Sequence, residues 1–307
     1  MIAFVFPGQG AQYPGMGKDL AANFKQAAAA FEEASDAISI DLKKLCFDGS
    51  DSDLKLTENT QPAILTVSIA ALRALQAHTG KSPAMVAGHS LGEITALVAA
   101  GSIEFADAAR LVRKRGKFMQ EAVAPGVGAM AAILGMQRKS LEEALRDVPG
   151  VVEIANINSE EQMVIAGEAK AVEAGARAAT GAGAKRAVML EVSAPFHCSL
   201  MKPAAEKFAE ALGGVKITGP KVPVVTNLEA KPNSDAGRIP ELLTRQIFSP
   251  VLWLDSVNRM KADGITAYAE IGPGRVLSGL IRRIHREARL VNIEDSKGLS
   301  AAGSLVE

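Results

Sequence analysis

Ala84-Met85-Val86-Ala87-Gly88-His89-Ser90-Leu91-Gly92-Glu93 is the stretch that decides how this chain folds. An apolar run suited to a buried strand meets a Gly-x-Ser-x-Gly turn, and a helix is expected from there to about Ala100. Strand, sharp turn and helix together make a nucleophile elbow, which presents one serine at the carboxyl end of a strand in an α/β sheet. Glycines two positions either side of Ser90 let the backbone turn without steric conflict. The amides at the helix N-terminus favour negative charge developing nearby. Ser90 is thus a candidate nucleophile for covalent acyl chemistry.

Working outward, the short apolar runs Ile2–Phe6, Ala84–Gly88, Val222–Thr226 and Ala267–Ile271 alternate with alanine-rich stretches of helical period. This predicts a hydrolase-like, mostly parallel α/β sheet covered by helices. One such helix spans Gln61–Gln76, with Pro62 in its first turn and its end near Gly80. From Ala129 to Leu190 the order becomes strand Ala129–Leu134, helix Lys139–Asp147, strands Val152–Asn156 and Gln162–Gly167, helix Lys170–Ala182, strand Arg186–Leu190. That βαββαβ order is ferredoxin-like. The expected organisation is a large catalytic domain, 1–124 and 193–307, carrying an inserted subdomain, 125–192, with a ligand cleft where the two meet. The tail after Asp295 is small and polar and is expected to fray.

Composition narrows the partners. The 307 residues carry 34 Lys and Arg against 34 Asp and Glu, so no global field favours nucleic acid or an anionic membrane. Cys46 and Cys198 stand far apart without CxxC spacing, which fits reduced thiols better than a disulfide or zinc framework. No apolar run approaches the roughly 20 residues of a membrane span, and the start reads as a strand, so a cytoplasmic protein is expected.

A serine hydroxyl needs a base. Of the four histidines, His78 ends an amphipathic helix, His285 sits in a basic run, and His89 points off the wrong side of the elbow. His197, in Ala194-Pro195-Phe196-His197-Cys198 just after the inserted unit, remains. Pro7-Gly8-Gln9-Gly10 follows the first strand; Tyr13 stands where GxGxxG needs its third glycine, so the turn is not a nucleotide site. It could instead supply a backbone N–H to an oxyanion hole beside that of Leu91. In Arg110-Leu111-Val112-Arg113-Lys114-Arg115-Gly116-Lys117 one buried arginine could hold a carboxylate, and periodicity does not choose which.

Phe6–Gln12, Gly88–Glu93, Arg115–Gln120, Ala194–Cys198, Gln246–Trp253 and Glu270–Gly274 with Leu277 together resemble, almost end to end, malonyl-CoA:acyl carrier protein transacylases. The resemblance implies ping-pong transfer of malonyl from coenzyme A to the enzyme serine and on to the phosphopantetheine thiol of holo acyl carrier protein, in fatty-acid synthesis. It implies Ser90 as nucleophile, His197 as its base, Gln9 and Leu91 as oxyanion amides, Arg115 as partner of the malonyl carboxylate, and Gln246 as acceptor orienting His197. Phe196 resembles the phenylalanine of malonyl-selective relatives, crowding a methyl branch. No cofactor or metal is implied, malonyl-CoA being a substrate. Ala11, where serine is common, and Tyr13 depart from the pattern at positions with no chemical role.

Three alternatives share this sequence: a malonyltransferase serving a polyketide pathway, a thioesterase or esterase, and a non-catalytic docking partner of carrier proteins. Carrier proteins being acidic, Lys114, Lys117, Lys185, Arg186, Lys202 and Arg275 are candidate contacts. No coiled-coil seam demands a partner, so a monomer is expected.

Overall fold

The computed structural model describes residues 1–192 and 194–302. Among them, the strands in chain order are β1 (Ile2–Phe6), β2 (Met85–Gly88), β3 (Gly128–Leu134), β4 (Val152–Ser159), β5 (Gln162–Glu168), β6 (Arg186–Met189), β7 (Val224–Val225), β8 (Pro232–Asn233), β9 (Ala267–Ile271) and β10 (Arg289–Ile293). One sheet runs β10-β9-β1-β2-β7-β8, parallel except for β8 at its edge. The central strands are buried on both faces, which explains apolar runs in place of alternation. The chain builds one way from β1 through β2 to β7, then returns to the other side of β1 with β9. β1 is therefore where the order reverses, and a crevice opens at the carboxyl ends of β1 and its neighbours.

The second sheet runs β4-β5-β3-β6, antiparallel throughout, with helices Arg138–Leu145 and Ala169–Gly181 on one face. This is the expected βαββαβ unit. Along β5, Met163 and Ile165 pack with those helices, while Val164 and Ala166 join the core of the large sheet. The period-two alternation of a strand thus lets one sheet cover its own helices and wall a cleft. Val251 ties the halves together, donating to the Ala155 carbonyl and accepting from Ile157 N–H, both at 2.9 Å.

Three local expectations are corrected. Pro62 lies inside helix Thr57–Thr79, because the helix starts five residues earlier, where Gln120 Oε1 accepts from Thr57 N–H at 2.9 Å. The end is as expected, at Gly80 with φ 63°. β7 is shorter than Val222–Thr226, since Pro223 accepts from Val86 but has no N–H to continue the ladder. The tail does not fray over its described part: Asp295 Oδ1 accepts from Gly298 N–H and starts helix Ser296–Ala302, which buries Leu299 and Ala302. Residues 303–307, and Ser193 of the expected return to the main sheet, lie outside the described residues. Among the described residues no helix is long and apolar enough to cross a membrane.

Candidate active site

Parallel pairing brings the site together. Phe6 of β1 lies in register with Gly88 of β2, so the Pro7–Ala11 turn and the Ser90 elbow leave the sheet side by side. A Cβ on Gly8 would overlap the His89 carbonyl, one on Gly92 the Phe6 carbonyl, and one on Gly88 the Gly92 carbonyl. None of these three has a positive φ. Close approach, and not left-handed backbone, is what demands glycine here. The strain of the turn falls on Ser90 itself, with φ 52° and ψ −105°, a conformation costing about 1–3 kcal/mol unless its surroundings impose it.

Two buried amides impose it. Asn227, following β7, accepts from Ser90 N–H at 2.6 Å and donates to the Gly88 carbonyl at 2.7 Å. Gln246, the last residue of helix Ile239–Gln246, donates to the Ser90 carbonyl at 3.0 Å. Both peptide groups of the strained residue are thereby held by side chains.

Ser90 Oγ stands 2.7 Å from His197 Nε2, and His197 Nδ1 stands 2.8 Å from the main-chain carbonyl of Gln246. A carbonyl only accepts, so Nδ1 carries the hydrogen and Nε2 is free to take the serine proton. His197 is 3% exposed. Burial, then the Arg115 guanidinium, push it down to about 3 against the Gln246 acceptor, so the imidazole is neutral at neutral pH. Its turn is anchored by Glu153 of β4, which accepts from Ser199 N–H at 2.9 Å and Oγ at 2.6 Å. Glu153 thus holds the turn and does not touch the imidazole ring.

Within the basic run, helix Phe105–Glu121 exposes Arg110, Lys114 and Lys117, half-buries Arg113 against the Ile38 carbonyl, and buries Arg115 to 1% exposure. A Cβ on Gly116 would overlap the Thr57 carbonyl, so that glycine lets the helix press against helix Thr57–Thr79 and Arg115 reach the elbow. Arg115 Nη1 donates to Gln61 Oε1 at 2.9 Å; Nη2 donates to Gln246 Oε1 at 2.9 Å and to Ser90 Oγ at 3.2 Å. Its Nε has no acceptor among the described residues. Burial pushes the guanidinium down to about 10, opposed by Glu93, so it stays charged at neutral pH. Glu93, on helix Leu91–Ala99, is pushed up to about 7 by burial against the pull of Asn227, Gln246 and Arg115.

These groups face a cavity of about 200 Å³ lined from the large sheet by Gln9, Leu91 and Leu277 and from the small one by Met130, Asn156 and Val164. Phe196 is buried and lines it too. Leu91 is the first residue of its helix, so no helical carbonyl claims its N–H. Chemically, the arrangement offers an oxygen nucleophile, a neutral base, amides for an oxyanion, and a fixed cation within reach of the acyl group.

The structure brings Ser90, His197, Arg115 and Gln246 into hydrogen-bonded contact and sets Gln9, Leu91 and Phe196 around their cavity. Of the other histidines, His89 Nε2 pairs with Asn158 Oδ1 at 2.9 Å, His285 Nδ1 with the Tyr268 hydroxyl at 3.1 Å, and His78 is exposed. The six candidate carrier contacts are all exposed. Gln61, Glu93 and Asn227 are bonded into this candidate site and the sequence reading missed them; only Glu93 carried a signal, as the one acid on an otherwise apolar elbow helix. Among the described residues no group of His, Cys, Asp and Glu could hold a metal ion.

Comparison with known proteins matches residues 3–304 to the acyl transferase domain family. The chain is 46% identical over 304 residues to the malonyl CoA-acyl carrier protein transacylase of Bacillus subtilis (strain 168), covering 98% of this chain and 96% of the relative. It is 48% identical over 302 residues to that of Escherichia coli O157:H7, covering 98% of each. Among solved structures, a malonyl-transacylase in complex with its type II PKS acyl-carrier protein superposes with a TM-score of 0.96 at 46% identity, covering 98% of each chain. With the fold, the elbow and these matches in agreement over nearly its whole length, the chain belongs to the acyl transferase family and, within it, to the malonyl CoA-acyl carrier protein transacylases.

Proposed function

We propose that this chain carries malonyl from malonyl-CoA to the phosphopantetheine thiol of holo acyl carrier protein through a malonyl-serine ester, supplying extender units for fatty-acid synthesis. The observation that carries this reading is Arg115: a buried guanidinium 3.2 Å from Ser90 Oγ, with its Nε–H unmet among the described residues, suits an acyl group that ends in a carboxylate. The names of the relatives support the donor and the acceptor.

In the first half-reaction His197 Nε2 takes the Ser90 proton as Oγ attacks the thioester carbonyl. The N–H groups of Leu91 and Gln9 receive the oxyanion, and Arg115 holds the malonyl carboxylate. Collapse releases coenzyme A as its sulfur takes the proton back from His197. In the second half, His197 deprotonates the carrier thiol, which attacks the ester and restores Ser90. Because the partner of Nδ1 is a neutral carbonyl, the imidazolium formed in each step is held less tightly than by a carboxylate and returns its proton readily. Phe196 beside the base disfavours a branched acyl group.

Supporting features also suggest how the chain is organised: 125–192 as an inserted subdomain closing the cleft over a catalytic domain of 1–124 and 193–307, working as a cytoplasmic monomer without a cofactor. Light scattering during size-exclusion chromatography tests the monomer. The solved complex with a type II PKS carrier favours a second reading, in which the same transfer feeds a polyketide pathway; kcat/KM measured against carriers of both kinds separates the two.

Intact-protein mass spectrometry tests the main proposal. Malonyl-CoA should add one malonyl group, absent in Ser90→Ala, and holo acyl carrier protein should remove it as malonyl carrier. An ester lost to water at the same rate with or without carrier would make the chain a thioesterase instead.

A further inference from the structure

Glu93 has no part in the steps above, yet all its hydrogen-bond partners belong to the site. It is 2% exposed, and its Oε2 accepts from Asn227 N–H at 2.9 Å and from Gln246 Nε2 at 2.7 Å. The opposite end of the same Gln246 amide accepts from Arg115 Nη2 at 2.9 Å. A carboxylate on its NH2 and a guanidinium on its oxygen fix which way that amide points, since the reverse orientation would set donor against donor and acceptor against acceptor.

We infer that Glu93 is a specificity-determining positioning residue: through the Gln246 amide it holds Arg115 beside Ser90, and it takes up a proton when an acyl carboxylate pairs with Arg115. The inference rests on the reading that Arg115 receives the malonyl carboxylate. Empty, the buried cluster holds one cation and one acid. A malonyl carboxylate brings a second negative charge into a place shielded from water, and two acids facing one guanidinium resist joint ionisation. Glu93 is the one that yields, because burial already raises its carboxyl while the arriving carboxylate meets the donors of Arg115 directly.

Among the described residues no other charge competes for this role. Arg115 is the charged group that the basic helix turns toward Glu93. His197 and His89, from the neighbouring turns, are both held neutral by burial. The buried residues of helices Thr57–Thr79 and Ile239–Gln246 and of β1, β2 and β7, as well as the rest of the elbow helix, include no titratable side chain.

The sign of the effect follows. A carboxyl whose pKa rises on malonyl loading makes loading strongest with Glu93 protonated, and loading weakens as pH rises through the empty-site pKa. Acetyl has no carboxylate and escapes this dependence. The ratio of malonyl to acetyl loading therefore isolates it, because ionisation of His197, Ser90 and the departing coenzyme A thiol is common to both.

The experiment is single-turnover loading of the full chain from malonyl-CoA and acetyl-CoA, read by intact mass between about pH 6 and pH 9. In the wild type the malonyl-to-acetyl ratio should fall about tenfold across that range. In Glu93→Gln, whose amide oxygen can still accept from Asn227 and Gln246, the ratio should be flat with pH. A flat ratio in the wild type, or a fall in Glu93→Gln matching the wild type, overturns the inference. Should the variant not fold, calorimetry of wild-type loading in two buffers of different ionisation enthalpy decides: more protons taken up with malonyl than with acetyl supports it, and equal uptake overturns it. A wild type that forms no malonyl adduct at any pH refutes the function itself, a result distinct from an adduct with a pH-independent ratio.

Discussion

Replacing Asn227 by alanine should loosen the nucleophile without touching it. The side chain makes two bonds to the elbow, from Ser90 N–H at 2.6 Å and to the Gly88 carbonyl at 2.7 Å. Truncation leaves both peptide groups buried and unpaired, at about 1–3 kcal/mol each. Some of this returns as Ser90 relaxes from its left-handed backbone, worth about 1–3 kcal/mol. The net loss is about 1–3 kcal/mol of stability, a fall of about 2–5 °C in Tm for a chain of this size. Relaxation also carries Oγ away from its 2.7 Å contact with His197, and a displacement of about 1 Å costs about a hundredfold in rate. The assay pairs thermal unfolding with single-turnover malonyl loading. A variant within 1 °C of the wild-type Tm and loading within about twofold of its rate would show that the strain at Ser90 is held by something other than Asn227.

Arg115→Ala should lower kcat/KM for malonyl-CoA by about 10²–10³-fold, the loss expected from a charge-assisted carboxylate contact of about 3–4 kcal/mol, while acetyl-CoA improves relative to it; competition between the two donors, read by mass, checks both directions. Phe196→Ala should raise methylmalonyl loading relative to malonyl by about tenfold, since the ring lines the cavity beside the base; an unchanged ratio would move branch discrimination elsewhere. With His197 held down at about 3, its base form persists well below the usual histidine range, so acetyl loading should show no acid limb between about pH 5 and pH 7; a limb near pH 6.5 that disappears in no other variant than one at His197 would place the base in a far more solvated setting. Glu93→Gln should abolish the pH dependence of malonyl preference, as set out above.

How much of this was legible in sequence depended on distance along the chain. Ser90 stood out because strand, turn and helix are contiguous, and the βαββαβ unit because its periodicity switches element by element. His197 lies 107 positions from Ser90, and local pattern left it only as the histidine with no better use; the family resemblance gave it a role. Arg115 could not be told from its basic neighbours because helical period selects a face, whereas burial of this one arginine depends on Gly116 meeting the Thr57 carbonyl. Asn227 gave no signal at all: it follows a two-residue strand and reaches Gly88 139 positions back. β10 was missed because Arg289 and Asn292 interrupt its apolar run, and Asn292 is there to serve Glu270 and Ser278.

The contact that aligns the imidazole is made by the main chain of Gln246, not by its side chain. No substitution at 246 deletes that oxygen, so alanine scanning would credit position 246 only with its side-chain bonds to Arg115, Glu93 and the Ser90 carbonyl. The third member of the proposed catalytic set is in this sense encoded by the path of the backbone after helix Ile239–Gln246. It can drift in residue type yet be inherited intact, and a search for an acidic partner among related sequences would pass over it.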